Sequence, residues 1–555
     1  MVVNIAMKQQ FKKKFEEIDV STRYTPETPD VDITKNTDSY FAQALHEKKE
    51  DLTTPPEQKP RTLESVLPDY GKYAFIKVPF LFIFNLQIVL VCISSSNLGY
   101  SGGLMNGLQG LPYWTDYVGN PQGAVLGAIN SGAIFGTFLS FVCTSHLCDY
   151  LGRRGAILTA DALVIIGVVI ETAAQNYAMF LIGGIILGIG GGIGMVAAPT
   201  LISEISYPAY RQVMTTCFNT CWFLGGLLGA FIAYGFRNVD STWSWRGSSL
   251  CACIVPVIQM FALIVGLVPE SPRWLVAKGH LEKARAILMK YHANNDPVVG
   301  GLLVEFELDE IKINIEAEQL ANSYSYWDLF KTPANRKRMF LLISLSTFTQ
   351  MNGNSVITYY LNKVLDSVGI TSIDQKMLVN GWIMFFNYVT GVCIALSVSF
   401  FRRRTMFITS LGSMLVCFVI WTIICARNKQ TNYENDALGR GILAMLFVIQ
   451  VAYNIGMNAV PYLYFTEIFP FTIRAKGLAV SLFVQQVWLI FDGFVNPVAM
   501  DALDWKYYIV YDVLLTFELA TVYFTFIETS GKSLEEVADL FGEKPFDLET
   551  NVPST

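Results

Sequence analysis

Twelve runs of mainly apolar residues, arranged as two sets of six, leave this chain few ways to fold. A helix needs roughly 20 such residues to cross the hydrocarbon of a bilayer. Lipid offers the backbone no hydrogen bonds, so a crossing segment must be a helix or part of a closed barrel. Runs of that length begin near Val78, Ala124, Gly155, Ala178, Val213 and Ser248. After a polar interval they resume near Met339, Met377, Thr405, Gly441, Gly477 and Tyr507. The fold class this predicts is an all-α membrane protein of twelve transmembrane helices in two six-helix bundles. The divisions expected are a tail over 1–76, bundles over 77–268 and 339–528, a linker over 269–338 and a second tail over 529–555. In the linker, Leu281–Lys290 and Leu303–Leu320 space their apolar residues as amphipathic helices do, which predicts two or three short helices on the cytosolic surface.

Composition removes other classes. Only 15% of residues are charged and 52% are hydrophobic, where a soluble domain has about a quarter charged. The net charge of -6 comes with no basic tract, so no nucleic-acid partner is expected. The ten Cys lie in or at the ends of apolar runs and read as small buried hydrophobes. The four His never fall at zinc-ligand spacing, and no nucleotide or nucleophile motif occurs, so neither metal, cofactor nor enzymatic chemistry is expected. The glycines Gly184, Gly188 and Gly192, with Gly190 and Gly194 beside them, lack G-x-G-x-x-G spacing and suit close helix packing instead.

Basic residues orient the spans. Arg153 and Arg154 follow the second, Arg211 the fourth, and Arg402, Arg403 and Arg404 the eighth; the linker adds Arg273, Lys278, Lys283, Arg285, Lys290, Arg336, Lys337 and Arg338. All lie on one face, expected to be cytosolic together with both termini; the loop with Arg427, Lys429 and Arg440 runs against the trend. The first 76 residues are polar, without a charged-then-apolar start, which predicts a largely disordered cytosolic tail and no cleaved signal peptide.

The halves echo each other. Glu204 and Arg211 end the fourth span as Glu467 and Arg474 end the tenth, at the same separation. Asp149-Tyr-Leu-Gly-Arg-Arg154 has a worn copy in Ser399-Phe-Phe-Arg-Arg-Arg404, and Pro269-Glu-Ser-Pro-Arg273 is answered by Glu528-Thr-Ser-Gly-Lys-Ser533. Parallel halves around a central site are how major facilitators are built. With Asp149, Gly152, Arg153, Arg154, Glu270, Arg273, Trp274 and Glu528 in this order, the chain resembles the sugar porter family of major facilitators over roughly 78–541. Gly225, Asn380-Gly381 and the stretch 503–511 resemble its fungal lactose and oligosaccharide permease branch.

The resemblance implies transport by alternating access, with a monomer in the bilayer as the working unit. The membrane implied is first the plasma membrane, with the vacuolar membrane as the alternative. Carboxylates and arginines at span ends would then pair with neighbours and clamp the halves while the cavity faces outward. It also implies a sugar held between the halves by polar residues: Asn219, Gln350, Asn354, Ser355, Asn387, Tyr462 and Gln485. Amides suit hydroxyl-rich ligands because each both donates and accepts. Where relatives carry a proton-binding Asp in span one and an Arg in span four, this chain has Ser101 and Gly184. Losing both partners avoids stranding one buried charge and predicts a facilitative carrier. Asp492, in the eleventh span, is the possible ion-coupling residue, with Asp161 and Glu518 as lesser intramembrane carboxylates. The alternatives are a proton-coupled symporter, a specialised-metabolite transporter on the same fold, and a non-transporting sensor.

Overall fold

The computed structural model describes residues 77–542, apart from 322–324, 368, 371, 398–400, 433–434, 459 and 531–533. The tail expected over 1–76 lies outside the described residues. Among those described, every regular element is helical.

Eight helices are long and apolar enough to cross a bilayer as they stand. Two of these stretches are 50 residues long, about 75 Å at 1.5 Å per residue, against a hydrocarbon thickness of about 30 Å. Each is therefore two crossings. Gly123–Thr172 breaks at Gly152, whose φ of 80° and ψ of 172° are not helical, giving spans 2 and 3. Lys476–Thr525 breaks at Asp504, φ 52°, separating span 11 (Phe471–Leu503) from span 12 (Tyr507–Thr525). Span 1 is a pair of helices, Pro79–Cys92 and Ser94–Gln109, bent by 43°. Span 7 is in three pieces, Pro333–Met351, Asn354–Tyr359 and Leu361–Ser367, broken at Gly353 with φ 84°. The remaining spans are 4 (Tyr177–Ile205), 5 (Arg211–Phe236), 6 (Trp243–Val265), 8 (Ile373–Ser397), 9 (Arg403–Gln430) and 10 (Asp436–Gly456 with Val460–Ile468). The total is the twelve expected. The amphipathic stretches between spans 6 and 7 form helices Leu281–Tyr291 and Pro297–Ala321.

Glycine sets how near the spans approach. On span 4, a Cβ at Gly188 would lie 2.1 Å from the Ala133 carbonyl oxygen of span 2, and one at Gly190 would lie 2.5 Å from the Ala160 oxygen of span 3. Without a hydrophobic driving force between helices in lipid, such backbone contact supplies much of their attraction. The halves meet along spans 2 and 11 and spans 5 and 8.

Hydrogen bonds join the halves at the face opposite the basic loops. Asn106 Nδ2 donates to the Thr358 carbonyl at 2.5 Å, Asn380 Nδ2 donates to the Gly103 carbonyl at 2.9 Å, and Arg237 pairs with Asp374. That end of the seam is shut in this conformation.

Gly188→Val places a branched side chain where there is room for none, and overpacking costs about 1–3 kcal/mol. A clearly lowered melting temperature is expected. Gly235→Ala, at a position with nothing within 4 Å of the added Cβ, should melt as the native protein does.

Candidate functional site

Two matching charge networks stand at the basic face. In the first half, Arg153 binds Glu204 with both arms of its guanidinium, Nε to Oε2 at 3.0 Å and Nη2 to Oε1 at 3.1 Å. Glu270 accepts the backbone N–H groups of Arg153, Arg154 and Ser271 at 3.1, 3.2 and 2.9 Å. The Ser271 hydroxyl donates to Glu204, and Arg154 donates to the Leu263 carbonyl. In the second half, Arg403 Nε donates to Glu467 Oε1 at 3.2 Å, and Glu528 accepts the N–H groups of Arg403, Arg404 and Ser530 at 3.0, 3.1 and 2.9 Å. Thr529 donates to Glu467 as Ser271 does to Glu204, and Arg404 donates to the Tyr523 carbonyl. Asp149 adds a looser contact to Arg153 at 3.7 Å, and its carbonyl accepts the Trp274 indole N–H at 3.0 Å. Burial pushes the Glu270 carboxyl up from its ordinary value, while its bonds to three N–H groups and the Arg153 charge pull it back.

The ion pairs run between neighbouring helices. Glu204 and Glu467 bind Arg153 and Arg403 across neighbouring helices, while Arg474 donates to the Phe469 carbonyl at 3.2 Å. Arg211 lies beside His292, and Arg273 is half-buried on the helix Pro272–Ala277. Both networks close within their own half, in a conformation whose bonded seam is at the other end. Gly152 has a second reason to be glycine here, since a Cβ would sit 2.5 Å from Glu270 Oε2.

A further tie joins the linker to the bundle. His292, fully buried, places Nδ1 2.7 Å from Glu307 Oε2 and Nε2 2.9 Å from the Ile205 carbonyl at the end of span 4. Burial alone would lower its pKa; the Glu307 charge and these bonds outweigh that and hold it above 6.5.

At mid-depth the polar residues gather along the seam. The Trp222 and Tyr359 rings, from opposite halves, flank Gly102 of span 1. Asn219 lies one turn before Trp222 on the same helix face. The Tyr462 hydroxyl donates to Gln485 Oε1 at 2.9 Å, joining spans 10 and 11. Asn387 of span 8 accepts from Asn454 Nδ2 of span 10 at 2.7 Å, and Asn458 Nδ2 donates to Asn454 Oδ1 at 2.9 Å. The Asn354 amide meets the Tyr453 hydroxyl, and Gln350 donates to Thr349 at 3.3 Å. The Ser355 hydroxyl donates to Asp492 Oδ2 at 2.6 Å, in a crevice that Tyr359 also lines. Asp492, only 3% exposed, lies in a narrow crevice with Asn130 and Ser131 of span 2 opposite and Asn496 beside it. Asn496 in turn accepts from the Tyr507 and Tyr511 hydroxyls, both at 2.7 Å. Of the predicted residues, Tyr462 with Gln485 and Ser355 with Asp492 are bonded directly; Asn219 and Gln350 bond to none of the others.

Sequence reading missed Asn454 and Asn458, whose four-residue spacing on one face of an apolar run was the available signal. It also missed Glu171. Placed one residue before the end of span 3, Glu171 reads as a span-end charge, yet it is buried against span 4, its Oε1 3.1 Å from where a Cβ of Gly184 would lie. A carboxyl group thus stands beside the position where the Arg is missing.

Comparison with known proteins agrees with this architecture. The model of the family "Sugar (and other) transporter" matches residues 87–541. A high-affinity glucose transporter of Kluyveromyces lactis is 27% identical over 481 residues, covering 83% of this chain and 85% of the relative. An MFS-type transporter of Aspergillus oryzae is 28% identical over 488 residues, covering 84% and 87%. The inward-open structure of the xylose transporter of E. coli superposes with a TM-score of 0.67 at 23% identity, covering 82% of this chain and 99% of the other.

Because Glu270 and Glu528 do the same work in the two halves, Glu270→Ala and Glu528→Ala should each destabilise the protein, by about 1–3 kcal/mol for orphaned buried donors, while Gln restores part of the loss. Thermal unfolding in detergent checks this. For His292 the folded-state pKa is raised, so its contribution is complete below about pH 6.5 and is lost as pH rises through the folded value. The melting-temperature gap between the native protein and His292→Gln should therefore be widest in acid and shrink toward pH 9.

Proposed function

The chain belongs to the sugar transporter family, and on that premise we propose that it carries a sugar or sugar-like small molecule across a membrane by alternating access, without proton coupling through spans 1 and 4. The observation that carries this reading is the amide and aromatic cluster at mid-depth between the halves, with the seam bonded shut at the end opposite the basic loops. A sugar presents many hydroxyls and an apolar ring face. Asn387, Asn454 and Gln485 supply paired donors and acceptors, and Trp222, Tyr359 and Tyr462 supply rings. A bound hydroxyl would exchange with the amide–amide bonds now closed among these residues, so binding needs no unpaired polar group.

Facilitation is supported by Ser101 and Gly184, neither of which can hold a charge. The second reading, proton symport, is favoured by Asp492, whose buried carboxyl on the seam is bonded only to uncharged groups. The networks at Arg153 and Arg403 are placed to change partners as the basic face opens and closes. We place that face and both termini in the cytosol, and the working unit as a monomer in the plasma membrane.

Proteoliposomes given labelled glucose, galactose, xylose or lactose should take up at least one of them to equilibrium, at the same final level with or without an inward proton gradient. Accumulation above equilibrium, abolished in Asp492→Asn, would replace facilitation by symport. No uptake of any of the four by folded protein would remove them as substrates and favour a specialised metabolite. For a transported sugar, Gln485→Ala and Asn387→Ala should raise KM about tenfold each, as loss of one hydrogen bond of about 1.4 kcal/mol implies.

A further inference from the structure

Span 7 begins unlike its counterpart. Span 1 opens with Pro79–Cys92, which contains no cation. Span 7 opens with Pro333–Met351 and carries Arg336, Lys337 and Arg338 in its first two turns. The fold does not require cations at such a position, and it uses only one of the three. Arg338 is buried, donates to the Ile468 carbonyl at 2.8 Å and to Asn335 at 3.1 Å, and lies over the Phe541 ring at 4.6 Å. Arg336 and Lys337 are exposed, and their side chains have no ion pair or hydrogen bond among the described residues.

These two cations rim an open cleft between the start of span 7, the end of span 12 and the short helix Leu534–Leu540. Its other walls are Phe340, Leu341, Thr525, Ile527, Leu540 and Phe541. Apart from the Thr, those walls are apolar. Around the cleft the surface is apolar and exposed: Phe340 is 51% exposed, Tyr523 56% and Phe524 81%. Tyrosine, as at Tyr523, is enriched at the level of the headgroups. Neither cation is paired with the exposed Glu536 or Asp539 of the short helix, and a cleft with two such cations at its rim and apolar walls is the complement of one kind of molecule, an anionic lipid; basic pockets between spans hold such headgroups elsewhere.

We propose that this cleft is a binding site for an anionic phospholipid of the surrounding leaflet, its phosphate held by Arg336 and Lys337 and its upper acyl chain lying along Phe340 and Leu540. Lipid bound there bridges the first helix of the second half to the end of its last span and to the helix that follows. The other conceivable occupant is residues 543–555 of the chain itself, which contain three carboxylates and one lysine.

The test uses full-length protein in detergent with equimolar phosphatidylglycerol and phosphatidylcholine, the retained lipid being read by native mass spectrometry. Phosphatidylglycerol should be retained in preference. The double variant Arg336→Gln/Lys337→Gln should bind it about thirtyfold more weakly, from roughly 1 kcal/mol for each basic residue at the surface. Arg336→Lys should keep most of the preference, and Lys312→Gln on the linker surface should keep all of it. A chain ending at Gly542 should retain the lipid as the full chain does. A preference that survives the double variant would overturn the site. So would the lack of any preference, and so would a preference found only after residues 543–555 are removed, which would make that segment the occupant. None of these readouts depends on which solute is transported.

Discussion

Helix ends at a membrane surface leave backbone N–H groups with no partner within the helix, and the way this chain satisfies two of them organises much of its basic face. The N–H groups that open spans 3 and 9 are accepted by Glu270 and Glu528, each more than a hundred residues further along the chain. A carboxylate at a helix N-terminus gains from the helix dipole as well as from the bonds. The arginines whose backbone it holds are thereby aimed at Glu204 and Glu467, so one capping contact fixes the next ion pair. The same contact ties the last span of each half to its second and third helices. The arrangement occurs twice with the same chemistry, with Ser271 and Thr529 as interchangeable hydroxyl donors.

The polar centre follows a different rule. In lipid an unpaired amide is costly, and here Asn387, Asn454 and Asn458 bond one another while Gln485 bonds Tyr462. Such a cluster is both a means of holding helices together and a set of groups a polyhydroxyl ligand could recruit. The buried carboxyl groups are less economical. Asp492 has Ser355, whereas Glu518 has neither oxygen bonded among the described residues. Glu171 is buried against span 4, with its Oε1 3.1 Å from where a Cβ of Gly184 would lie.

Much of the architecture was legible in the chain. Apolar runs located all twelve spans, because a bilayer demands length and hydrophobicity whatever the packing. The paired motifs around Arg153 and Arg403 revealed the repeat, and residue order alone aligned Glu270 with Glu528. Which arginine each carboxylate takes was not legible. Pairing between neighbouring spans was expected in general, but the choice of Arg153 for Glu204 and Arg403 for Glu467 depends on how the helices are placed. Ser355 was grouped with the sugar-facing amides, and the break at Gly353 turns it toward Asp492. Asn454 and Asn458 share one face of an apolar run, but only span 8 placed alongside shows that Asn454 meets Asn387.

The sequence by itself determined that this chain crosses a membrane twelve times, that its halves repeat, and that Ser101 and Gly184 hold no charge. Those properties depend on hydrophobicity and residue type, which need no contacts to be read. Tertiary structure decided which charges pair, which end of the seam is shut, and that Glu171 rather than empty space lies beside Gly184. Each of these depends on the distance between helices remote in sequence, and small residues such as Gly188 and Gly190 set that distance only once their partners are in place.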